Sequence, residues 1–110
     1  MKILRLLMVL IILGPIWAGT ASAHKVNLFA YVEAGTVYVE SYFPDGTAVE
    51  DGKVLVYDSQ DNLVLEGRTD KEGLFNFPVP KIDDLTIVIE ASMGHRNTFK
   101  LKKAEVEAGK

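Results

Sequence analysis

His24, His95 and Met93 are the side chains whose types suit holding a metal ion, and they carry the chemistry available to this chain. His24 follows Ala21-Ser22-Ala23, a small-residue ending of the kind cut by signal peptidase, so cleavage after Ala23 makes it the first residue of an exported protein. Its free α-amine and its Nδ1 would then close a six-membered chelate ring on a divalent cation. Nitrogen donors of this kind suit Ni2+ and Cu2+. The α-amine has a reference pKa of about 7.7–8.0, so the metal competes with a proton and affinity should rise with pH. His95, in Ser92-Met93-Gly94-His95 just after a predicted strand, is a second nitrogen donor. Met93 is a marginal third ligand, a thioether better matched to Cu(I) than to Ni2+. Two separated histidines are a weak motif. The competing readings are an ordinary terminus at His24, a turn residue bonded to backbone at His95, and a space-filling Met93 at the end of the fold.

The residues before His24 have the parts of a secretory leader: Lys2 and Arg5, the apolar run 6–13, Ile16 and Trp17, and small residues ending at Ala23. Gly14-Pro15 breaks the apolar stretch, which is shorter than the roughly 20 residues a spanning helix needs. A cleaved signal over 1–23 is expected, with periplasmic or extracytoplasmic location; an uncleaved tether, which would remove the amine chelate, is the alternative. Membrane association is expected only through a partner or through such a tether.

The leader contains two cations and no carboxylate, so its removal makes the remainder more acidic than the net −3 of the whole chain. That balance argues against nucleic acid, whose phosphates require basic surface. Residues 24–110 are enough for one core and too few for two. Cysteine is absent, so an exported domain must rely on apolar burial rather than disulfides, and thiolate ligands are excluded.

From Val26 the chain alternates, with Val26, Leu28, Ala30 and Val32 on one side and Asn27, Phe29, Tyr31 and Glu33 on the other, the period of a half-buried strand. Ala34-Gly35 turns it into a second strand over 37–43. Pro44-Asp45-Gly46-Thr47 closes that strand with turn chemistry. Further strands are predicted over 53–58, 63–66, 74–79, 85–91 and 98–102, separated by polar turn clusters. Seven short strands and no convincing helix predict a small all-β antiparallel seven-stranded sandwich over 24–103, with a frayed, disordered tail over 104–110. Its inward candidates are Val26, Leu28, Ala30, Val37, Val39, Val54, Val56, Leu65, Phe75, Phe77, Leu85, Ile87, Ile89, Phe99 and Leu101.

The stretch Gly52-Lys53-Val54-Leu55-Val56-Tyr57-Asp58, followed by Gly67-Arg68-Thr69-Asp70 and Gly73-Leu74-Phe75-Asn76-Phe77, resembles transthyretin-like and carboxypeptidase-regulatory-like sandwiches. The likeness implies a fold, because many extracellular modules share it. The start His24 to Val32 and the late Ala91-Ser92-Met93-Gly94-His95-Arg96 are more specific. With the leader and the size, they resemble a small extracytoplasmic accessory component of bacterial energy-coupling-factor nickel transporters. The resemblance implies a non-enzymatic protein that works beside a membrane permease in nickel uptake, with Ni2+, or alternatively Cu2+ or Co2+, bound as cargo. The C-terminal membrane segment of some accessory components is not seen in the sequence.

Other constellations point to no chemistry. Glu50-Asp51 and Asp83-Asp84 are adjacent pairs rather than carboxylates converging across a cleft. Ser41, Ser59 and Ser92 lack a nucleophile elbow, and the acids of 58–70 lack calcium-loop spacing. Glu33 and Glu90 are strand-end carboxylates more in keeping with solvent than with a ligand shell. Tyr31, Tyr38, Tyr42 and Tyr57 read as cross-strand packing, with Tyr38 and Tyr42 on one face. No catalysis is expected. The alternatives to nickel uptake are a copper-handling periplasmic sandwich and a metal-free structural or adhesive module.

Overall fold

The computed structural model describes residues 25–110; the predicted leader and His24 lie outside the described residues. Seven strands form: β1 (Asn27–Glu33), β2 (Thr36–Tyr42), β3 (Lys53–Tyr57), β4 (Leu63–Arg68), β5 (Leu74–Pro78), β6 (Leu85–Glu90) and β7 (Arg96–Leu101). They lie in two sheets, β1-β2-β5 and β4-β3-β6-β7, with every pairing antiparallel. The chain is thus a small all-β sandwich. β1 and β2 are joined by Ala34-Gly35, both at positive φ (50° and 80°), the twist that a two-residue hairpin needs.

Alternation decides the core. Ala30, Val37 and Val39 of the first sheet face Val54, Val56, Leu85, Ile87, Ile89 and Leu101 of the second, all buried. All the predicted inward residues belong to this core or pack against it. Val49 and Val106 join it from outside the strands.

The cadence 67–75 is a set of structural fasteners. Gly67 lies under the Phe75 ring, where an added Cβ would come within 2.3 Å of the ring carbon Cζ. The buried Thr69 hydroxyl donates to the Val49 carbonyl at 2.6 Å and accepts from the Gly52 amide at 2.8 Å. Asp70 Oδ1 accepts from the amides of Glu72 and Leu74, forming the turn into β5. Gly73, at φ +77°, sits so close to the Ser41 carbonyl that a Cβ would be 2.4 Å away.

The tail departs from expectation. Instead of fraying, Lys103–Ala108 form a short helix, α1. The Lys103 amide donates to Asp84 Oδ1 at 2.7 Å, Val106 is fully buried, and the Gly109 carbonyl accepts from Gly35 at 2.9 Å. A helix this short is not stable alone in water. It forms because it caps one end of the sandwich, burying Val106 for about 1.5–3 kcal/mol.

Candidate functional site

β1 lies against β7 of the other sheet. Asn97 Nδ2 donates to the Val26 carbonyl at 2.7 Å, and Phe29 meets Phe99 edge to face at 5.6 Å. The two contacts advance together along both strands, so β1 runs in the same sense as β7 and opposite to β6. The starts of β1 and β7 and the ends of β2 and β6 therefore share one end of the sandwich. His95 belongs to that end, in the connection from β6 to β7.

The His95 loop is tight. Ser92–Gly94 form a single 3-10 turn in which Met93 and Gly94 both have positive φ (63° and 76°), and the Ala91 amide donates to the His95 carbonyl at 2.8 Å. His95 is partly buried, with its ring edge to face on Phe43 at 5.6 Å. Its Nδ1 lies 3.3 Å from the Ser92 carbonyl oxygen. In the tautomer protonated at Nδ1, that contact is a hydrogen bond from ring to backbone, and Nε2 carries the lone pair that ligation requires. Sequence reasoning missed Phe43 and Asn97, the residues that orient this end, because neither lies near His95 or Val26 in a recognisable spacing.

Met93 is 88% exposed at the tip of the turn, so it does not fill space at the end of the sandwich. Glu90 is tied to Arg96 at 3.6 Å. Glu33 is at the far end of β1, about 20 Å from the strand's start at a rise of roughly 3.3 Å per residue. The structure therefore separates it from His95. Among the described residues, no group of three or more His, Cys, Asp or Glu side chains is arranged to hold a metal ion. The expected meeting of His24 with His95 falls outside the described residues. Val26, two residues after His24, is fully buried and tethered by Asn97, two residues after His95.

The opposite end has a different character. Asp58 is buried, and its carboxylate accepts from the Gln60 and Asn62 amides, from Asn62 Nδ2 and from Lys81 Nζ at 3.1 Å. The Asn62 amide, with Lys81 and the other donors, outweighs desolvation and holds this carboxyl well below the usual range. Asp83 accepts from the amide and hydroxyl of Ser59, which likewise lowers its pKa, and Asp84 receives the Lys103 amide. Asp83-Asp84 thus fastens a turn and a helix. A cleft of about 280 Å3 opens between the Asp58 turn and Lys100 and Lys102.

Of the four tyrosines, Tyr31 and Tyr38 pair across strands as expected, on the outer face, whereas Tyr42 bonds within its own strand. Tyr31 and Tyr38 are directly opposite and stack at 5.2 Å, and the Tyr42 hydroxyl donates to Glu40 Oε1 at 2.9 Å.

No family model matches this chain. It is 32% identical over 79 residues to a protein of Haemophilus influenzae (strain ATCC 51907 / DSM 11121 / KW20 / Rd) described only as an uncharacterized protein; the match covers 69% of this chain and 49% of that one. The chain spans about half the length of the curated relative it matches.

Proposed function

We propose that this protein is an exported accessory component of divalent-metal uptake, chiefly of nickel, which binds the ion as cargo and passes it to a membrane permease without catalysis. His24, once exposed by cleavage, supplies its α-amine and Nδ1, and His95 supplies Nε2. The single observation that carries this reading is the mounting of His95. Its ring is braced on Phe43 and its Nδ1 faces the Ser92 carbonyl, at the end where Asn97 ties down the chain two residues beyond His24. A backbone carbonyl on the second ring nitrogen is the usual support of a ligating imidazole, because it sets the tautomer.

Calorimetric titration of Ni2+ into the processed protein beginning at His24 tests this. Binding is expected to strengthen as pH rises through about 7–8, where the α-amine loses its proton. One extra residue before His24 should weaken it at least about tenfold, or about 1.4 kcal/mol, and His95→Ala should weaken it further. Equal affinity of extended and native termini would remove the amine from the site, and no heat at all would favour a metal-free structural module.

The exposure of Met93 favours one second reading, copper handling, since a thioether suits Cu(I). Raw affinity favours Cu2+ over Ni2+ under either reading. Metal accumulation in cells lacking the protein separates them: a fall in nickel alone supports the first, a fall in copper alone the second.

A further inference from the structure

The outer faces of the two sheets are built on opposite plans. On the four-stranded sheet, outward carboxylates stand beside outward cations. Lys53 approaches Glu66 at 3.9 Å and Arg96 approaches Glu90 at 3.6 Å. On the same face Leu55 and Val88, a directly opposed pair pointing outward, are 7% and 3% exposed. The outward apolar pair on this side is buried and stands among charged side chains that pair with one another.

The three-stranded sheet has no such cover. Phe29 is 49% and Tyr31 39% exposed, and Leu74 lies exposed across Glu40 from Phe29. Phe29, Tyr31 and Tyr38 form a continuous aromatic strip, with ring centroids 5.9 Å and 5.2 Å apart. The outward positions of β1, β2 and β5 include two carboxylates, Glu33 and Glu40, and not one Lys or Arg. Glu40 is held by the Tyr42 hydroxyl. This is a ring surface with negative faces, flanked by negative charge, and the outward positions of its three strands supply no cation to it.

We propose that this face docks a partner-protein segment bearing arginine or lysine, whose cationic heads lie over Tyr31 and Tyr38 and pair with Glu40 and Glu33. Charge selects this occupant. A second copy packed face to face would add two more carboxylates and no cation from its outward strand positions, and a phosphate-rich ligand would be repelled by Glu33 and Glu40. A guanidinium gains twice, from the ring quadrupole and from the carboxylates beside it. Exposed apolar patches with a polar rim mark interaction sites on otherwise soluble domains. The inference requires neither His24 nor His95 and stands apart from the metal site.

The test is an NMR titration of the 15N-labelled processed protein with tetra-arginine amide, run beside tetraglutamate and an uncharged Gly-Ser tetrapeptide. Tetra-arginine should shift the amides of Phe29, Tyr31, Tyr38 and Glu40, the controls should not, and added salt should weaken the effect. Tyr31→Leu, which keeps apolar area and removes the π face, should weaken binding at least threefold, as should Glu40→Gln, with the rest of each spectrum unchanged. Shifts spread over other acidic positions such as Glu72 and Glu105, and untouched by Tyr31→Leu, would overturn the proposal. So would concentration-dependent dimerisation lost in Tyr31→Leu, which would make a second copy the occupant.

Discussion

The two sheets share one core yet treat their outer faces differently, and the difference separates what the chain needs for folding from what it leaves for other molecules. On the four-stranded side, charged groups are paired within the chain: Lys53 with Glu66, Arg96 with Glu90, and the buried Asp58 at the end of β3 with Lys81 and the Asn62 turn. On the three-stranded side, aromatic rings and carboxylates meet no cation of their own strands. Folding draws on the buried Asp58 network of the first side and gains little from the exposed rings of the second.

The sharpest way to break this comparison is Asp58→Ala. It leaves the Gln60 and Asn62 amides and Lys81 without their acceptor and should cost about 2–4 kcal/mol in denaturant unfolding. The pH dependence follows from the lowered pKa. A carboxyl depressed in the folded state contributes fully above its unfolded value of about 3.9, and the contribution is lost as pH falls through the lower folded value. The stability gap between the native chain and Asp58→Asn should therefore be wide at neutral pH and close in acid.

A matched pair of truncations sharpens the contrast between faces. Leu55→Ala, outward but buried, should cost about 2–3 kcal/mol, whereas Tyr31→Ala, outward and exposed, should cost under about 1 kcal/mol. Equal costs would mean that the aromatic strip is part of the folding core and not a surface held for a partner. The smallest effect is expected at the ion pairs themselves. Glu66→Gln, breaking a pair whose side chains are 44% and 55% exposed, should change stability by no more than about 0.5 kcal/mol, and less at high salt.

Much of this architecture was legible in the residues. The alternation from Val26 to Val32 and from Val37 to Val39 named the inner face correctly, and Ala34-Gly35 and Pro44 to Thr47 marked their turns. The helix at 103–108 was not legible, since Val106 alone makes no periodic pattern and the helix exists only against the end of the sandwich. Val49 was likewise hidden: it is a loop residue drawn inward by the Thr69 hydroxyl on its carbonyl, twenty residues away. For the candidate site, His95 could be named from its type, and Met93 with it, but the bracing by Phe43 and the Asn97 tether come from positions far apart in the chain.

By itself the sequence determined the local facts: which residues alternate, where the chain turns, that burial without disulfides must hold the fold, and which side chains can offer nitrogen or sulfur to a metal. These depend on residue type and on spacings of a few residues, where backbone geometry permits few outcomes. Only the tertiary structure decided that β1 lies beside β7, that His95 and the buried Val26 share an end, and that one outer face carries ion pairs while the other stays aromatic and acidic. Those depend on contacts between residues distant along the chain, and their partners are chosen by the collective packing of two sheets rather than by any short run of residues.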